Sequence, residues 1–272
     1  MGLRVRQVSQ LLGLATATAF CALLSGAQVA GTAGAPALGP AQPEFRFARL
    51  AYNDSAALGF GRGGRGFGGG SWTTDAPEAE MHLLQGIRRL TRISTLDADR
   101  GDQFIAIAPS DDDIYHYPFL YAVEVGRWYL SDEVAARLRE YLLRGGFLMV
   151  DDFHGSLQWE GFMESMRRVF PDREVVEIPD NHEVFHVVWD LDHKVQIPGV
   201  YAIMSGRTYE QDGVEPHWRG VFDDHGRLMV AINFNMDLGD AWEHADTPEY
   251  PQPLTALAYR FGISYAVYAM SH

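Results

Sequence analysis

Residues 144–155 read Arg144-Gly145-Gly146-Phe147-Leu148-Met149-Val150-Asp151-Asp152-Phe153-His154-Gly155, and this stretch sets the fold class. Four consecutive apolar residues after a Gly-Gly stop leave no polar face, the pattern of a strand covered on both sides within a parallel sheet. The strand is therefore expected at the sheet centre. It breaks off into two aspartates and a histidine, so polar chemistry begins where the strand leaves the core.

Working outward, Ser131 is placed to cap a helix through Leu143, with Val134, Leu138, Tyr141 and Leu142 as its inner face. Downstream, Phe162, Met166 and Val169 mark another helix, and residues 175–178 resume a strand pattern. Nearer the start, alternation over residues 44–52 predicts a first strand. A helix is predicted over 77–92, capped by Thr74 or Asp75, and short strands over 103–108 and 118–125. Past residue 200 an apolar strand is expected at 201–204, then a hairpin pivoting on Asp224-His225-Gly226 into a strand at 228–233. Residues 254–269 read as a helix, or a helix and a last strand. This alternation predicts an α/β fold, a three-layer sandwich on a mostly parallel central sheet, whose ligands sit at the carboxyl ends of the strands.

With 47% apolar residues and one cysteine in 272, the chain is neither disordered nor a disulfide scaffold. A formal charge of −14 argues against nucleic acid and anionic lipid as partners. Residues 1–35 pair a basic start (Arg4, Arg6) with an apolar run and small residues, which predicts a cleaved signal peptide, a linker at 36–43 and a single domain at 44–272. The expected location is periplasmic or secreted, without membrane attachment after cleavage. Cleavage removes Cys21, so thiol catalysis is excluded from the mature chain. Residues 59–70, rich in glycine and arginine, are expected to be a flexible loop; their G-x-G-x-x-G match is nearly automatic in such a tract and predicts no nucleotide site.

Asp151, Asp152 and His154 are the first candidates for catalysis. Consecutive carboxylates repel, so a cation, a helix N-terminus, arginines or a shared proton must offset them. Metal ligation and general acid/base work are the functional readings; helix capping and loop-amide bonding are the structural one. Asn235, Asp237, Asp240 and Glu243, with Trp242 as a stacking plate, fit a polar loop that binds a ligand. The run His182-Glu183-Val184-Phe185-His186 spells the zinc-protease pattern, but its β-forming neighbours point to a strand, where the histidines would lie about 13 Å apart. His182 alone is kept as a cleft residue.

Several segments resemble a known family: Trp72-Thr73-Thr74-Asp75, Tyr117-Pro118-Phe119-Leu120-Tyr121, residues 144–155, Asn235-Met236-Asp237-Leu238-Gly239-Asp240-Ala241-Trp242-Glu243 and the closing Tyr265-Ala266-Val267-Tyr268-Ala269-Met270-Ser271-His272. Together they are similar to the bacterial domain of unknown function 4159. That resemblance implies a flavodoxin-like sandwich related to class I glutamine amidotransferases, which carry a cysteine on the turn after a central strand and a late His-x-Glu pair. Here that turn holds Asp151, Asp152, Phe153 and His154, and no late His-x-Glu follows. The expectation is an exported domain with an Asp/His/Glu-lined ligand or hydrolytic site at the sheet's carboxyl edge. A divalent metal and a small polar or carbohydrate-like ligand would suit it. The alternative is a non-catalytic periplasmic binding or assembly module with a protein partner.

Overall fold

The computed structural model describes residues 43–55, 70–96 and 105–272. The expected signal peptide at 1–35, and nearly all of the expected linker and of the glycine-rich tract, lie outside the described residues. Chain contacts divide the molecule into Met1–Ala41 and Gln42–His272, and every described residue belongs to the second unit.

Nine strands are described: β1 (Ala48–Leu50), β2 (Asn53–Asp54), β3 (Ile105–Ile107), β4 (Phe119–Val123), β5 (Trp128–Tyr129), β6 (Phe147–Asp151), β7 (Val176–Glu177), β8 (His217–Phe222) and β9 (Leu228–Phe234). Seven form one sheet in the order β3-β1-β4-β6-β9-β8-β7, while β2 and β5 pair separately. From β3 to β9 every pairing is parallel; β8 and β7 continue the sheet antiparallel. As its sequence predicts, β6 is the central strand.

The helices are α1 (Glu78–Leu90), α2 (Asp132–Leu143), α3 (Gly155–Val169), α4 (Val200–Met204), α5 (Leu238–Glu243) and α6 (Gln252–Ser271). Alternation along β4 and β6 splits the core in two. Phe119, Tyr121, Phe147 and Met149 face α1, α5 and α6 through Leu83, Ile87, Trp242, Phe261 and Tyr265. Leu120, Ala122, Leu148 and Val150 face α2 and α3 through Leu138, Leu142, Phe162 and Met166. The result is a mixed α/β sheet with helices on both faces. Among the described residues no helix is long and apolar enough to cross a membrane.

Ser131 caps α2 as expected, accepting from the Val134 amide. Four local expectations need correction. Residues 201–204 are helical: the chain turns at Gly199 and buries Val200 and Ala202, while Tyr201 and Met204 face outward one turn apart. The acidic stretch after β9 is the short helix α5, capped by Asp237, rather than a loop. Neither Thr74 nor Asp75 caps α1, whose N-cap position is Pro77 with no side-chain bond. The His182–His186 run is a 3-10 turn at Glu183–Phe185 instead of a strand.

Candidate functional site

Three neighbouring parallel strands leave the sheet in the same way. Glu124 follows β4, Asp152 follows β6 and Asn235 follows β9, with φ of 56°, 50° and 63°. Left-handed backbone at a residue other than glycine costs about 1–2 kcal/mol, least at Asn and Asp. A row of such turns throws the chain sharply off the sheet and directs polar side chains over its carboxyl edge. Asp75, at φ 63°, and Gln211, at 49°, adopt the same conformation. Such strain concentrates where structure around it over-determines a site.

Register brings these exits together, because Val123 pairs with Asp151 and Val150 with Ile232. Asp152, His154 and Asp237 then place one ligand-type atom each within 4.8 Å of the others, and Asp75, Asp237 and Asp240 do the same. A third group of this kind, Asp240, Glu243 and His244, is half open to solvent. Asp152, Asp237 and Asp240 are 8%, 4% and 8% exposed and His154 is 2% exposed. Gly199 packs into the cluster: a Cβ there would lie 2.7 Å from Asp237 Oδ2, 2.7 Å from Glu210 Oε1 and 3.0 Å from Asp240 Oδ2. Only glycine lets the backbone come so near three carboxylate oxygens.

Each group is held by identifiable bonds. Asp237 Oδ1 accepts from the Asp240 amide at 2.8 Å, and Asp240 Oδ2 from the Val200 amide at 2.7 Å, so the carboxylates cap α5 and α4. Asn235 is a positioning residue: its Oδ1 accepts from the Gly155 amide at 2.8 Å and its Nδ2 donates to the Glu215 carbonyl at 2.6 Å. His154 Nε2 lies 3.2 Å from Asp152 Oδ1, while its Nδ1 is buried with no hydrogen-bond partner among the described residues. Arg49, wholly buried, donates to the carbonyls of Trp72 and Thr74 and pairs with Glu80. This fixes the turn that delivers Asp75.

Electrostatics follow from burial. Desolvation pushes the carboxyls of Asp75, Asp152 and Asp237 well above the usual range, and mutual repulsion pushes them further. Glu124 is raised to about 8, first by burial and then by Asp152, against the pull of Arg127. Burial lowers the His154 pKa, so its imidazole stays neutral near pH 7.

Not every residue singled out in the sequence belongs here. Asp151, read as catalytic, is fully buried behind the cluster, where its Oδ2 accepts from the amides of Leu238 at 2.8 Å and Gly239 at 2.9 Å and from the Tyr121 hydroxyl. It anchors the start of α5. Trp242 cannot stack on a ligand: its ring is 0% exposed, packed on Tyr121 and against Gly262. His182 lies at the opposite end of the sheet, against Phe222 and Tyr268, and accepts from the Val184 amide. Glu243 sits on the half-open rim. Sequence reading missed Asp75, Glu124 and Glu210. Glu124 had a usable signal, an acidic residue directly after a buried parallel strand; Asp75 and Glu210 come from turns whose destination the sequence does not encode.

Two cavities among the described residues lie away from the acid cluster: about 570 Å³ between α1 and α6, and about 280 Å³ between the segments that follow β1 and β3. Ligand-type atoms within 4.8 Å of one another are spaced closely enough for a single ion to touch all three.

No curated protein matches the chain. Residues 46–270 match the family described as Domain of unknown function (DUF4159). With its sheet and its site both inside that span, the chain belongs to the DUF4159 family.

Proposed function

We propose that this protein is an exported, divalent-cation-dependent hydrolase whose first cation is held by Asp152, His154 and Asp237. The observation that carries the reading is the convergence of those three buried groups, within 4.8 Å, from the ends of two adjacent parallel strands. Burying carboxylates beside one another is costly unless a cation compensates, and a neutral imidazole whose Nδ1 lacks a partner is a ready ligand. A cation there would lower the pKa of a bound water toward neutrality. Glu124, held to about 8, is protonated at pH 7 and suited to give a proton to a leaving group.

Taken alone, the parallel strands run in the spatial order second-first-third-fourth-fifth, the flavodoxin-like order. Asp152, left-handed directly after the central strand, occupies the kind of sharp exit turn on which related scaffolds mount a nucleophile. Both features support an amidotransferase-like scaffold in which a carboxylate has taken the place of the thiol. Export rests on the leader-like residues 1–35. An organic substrate would approach over the half-open rim of Glu243 and His244.

Elemental analysis and calorimetric titration of the mature protein with Mn²⁺ or Zn²⁺ test the reading. Asp152→Asn and His154→Ala should each weaken binding more than about 100-fold, beyond the 10- to 100-fold typical of residues outside the ligand set. A wild-type protein that takes up neither ion overturns it. The alternative, a non-catalytic assembly module, is favoured by one feature: α4 exposes Tyr201 at 71% and Met204 at 70% next to the site. It predicts a partner complex that dissociates in the double variant Tyr201→Ser, Met204→Ser while cation binding is absent throughout.

A further inference from the structure

We propose that the same cluster holds a second divalent cation, bound by Asp75 and Asp240 and sharing Asp237 with the first; the inference rests on the cation-dependent reading above. Asp75, Asp237 and Asp240 each contribute an oxygen within 4.8 Å of the other two, the same closeness as in the set of Asp152, His154 and Asp237. The two sets overlap at Asp237 alone. A carboxylate has two oxygens, so it is the side chain able to face both ions and hold them as a pair.

A second, independent observation points to a ligand at the Asp75 side. Its Oδ2 is buried and has no hydrogen-bond partner among the described residues. That oxygen is aimed at the start of α5, where a Cβ on Gly239 would collide with it. A buried carboxylate oxygen with no donor is among the costliest arrangements a fold can retain. The backbone around it is not slack: the carbonyl of the preceding residue, Thr74, accepts from Arg49, and Asp75 itself is held at φ 63°. The fold thus fixes, beside the oxygens of Asp237 and Asp240, a carboxylate oxygen that has no hydrogen-bond donor among the described residues, and hard divalent cations take oxygen partners of this kind.

The two sets differ in chemistry. The first includes an imidazole; the second is all oxygen and should prefer Mn²⁺ or Mg²⁺ to softer ions. In paired-cation sites the ions lie about 3.5–4 Å apart and stabilise both the attacking and the leaving oxygen of a displacement.

The test strips the purified protein with chelator, reloads it with Mn²⁺, and counts bound ions after gel filtration while recording the electron paramagnetic resonance spectrum. Wild type should hold two ions per chain with a magnetically coupled signal, and Asp75→Asn one ion with an isolated-ion signal. Thermal melting checks that the variant is folded, and Asp75→Ser replaces it if the Asn variant has no transition. Two ions retained in the folded variant overturn the assignment of Asp75. One ion in wild type overturns the second site and leaves the first standing. None in wild type overturns both.

Discussion

Adjacent aspartates at the end of β6 have opposite duties, and single substitutions should separate them. Asp151 satisfies the amides of Leu238 and Gly239 at the start of α5. Asp151→Ala leaves those buried donors unpaired and should lower stability by about 2–3 kcal/mol in urea unfolding. Asp152 instead has His154 Nε2, 3.2 Å from its Oδ1, as its side-chain partner among the described residues and repels its acidic neighbours. Asp152→Asn removes a charge that the cation-free fold must neutralise or endure. It should raise the melting midpoint of the cation-free protein while abolishing cation binding. Equal destabilisation by both changes would mean that Asp152 is a structural residue like its neighbour. The sequence shows two carboxylates after a buried strand but not which one turns back into the core. Side-chain alternation settles this: Asp151 falls on the Phe147 and Met149 side, under Tyr121 and α5, whereas the left-handed turn at Asp152 points the next carboxylate over the edge.

At the level of elements, the site depends on how α5 is seated. This one-and-a-half-turn helix delivers Asp240 and, through its cap, Asp237. It is wedged between α1 and α6 by Trp242, whose ring lies on Tyr121 with centroids 5.7 Å apart. His82 of α1 bonds the Trp242 carbonyl at 2.7 Å. On α6, Gly262 leaves the space the indole occupies, since a Cβ would lie 2.6 Å from its Cζ2. Gly262→Ala should therefore push the indole and α5 outward. The expected cost is about 1–3 kcal/mol of overpacking, with a shift in tryptophan fluorescence and a weaker cation affinity. Unchanged affinity would show that α5 is positioned by its caps alone. Trp242 is thus a structural wedge, although its sequence context of Asp and Glu reads like a binding loop. Apolar periodicity over six residues is too short to distinguish a loop from a helix, and the apolar partners that decide the matter lie in α1 and α6.

For the whole molecule, stability should depend on pH and cation together. Glu124 titrates near 4.5 when unfolded and about 8 when folded, so the folded state holds its proton over that interval. Its contribution is present in full below pH 4.5 and is lost as pH rises through 8. Asp75, Asp151, Asp152 and Asp237 are raised in the same direction and reinforce the trend. The melting midpoint of the cation-free protein should fall from pH 5 to 8, and less steeply in Glu124→Gln. Saturating Mn²⁺ at pH 8 should restore it, by about 2.7 kcal/mol at a hundredfold excess over the dissociation constant. A flat profile without cation, measured by scanning calorimetry, would contradict the crowding of carboxylates on which this rests.

The sequence by itself determined a mostly parallel α/β sheet with acidic residues at the exit of its central strand. Periodicity and caps are local, so the apolar β6 run, the Ser131 cap and the two-faced helices are legible one segment at a time. Tertiary structure alone brought Asp75 and Glu210 to the cluster and placed Asp151, Trp242 and His182 elsewhere, whereas Glu124 is legible as an acidic residue directly after a buried parallel strand. The reason is physical. A cluster whose groups come from turns as far apart as residues 75 and 240 is assembled by strand register and left-handed exits, and neither has a signature within the few residues that carry the acidic groups.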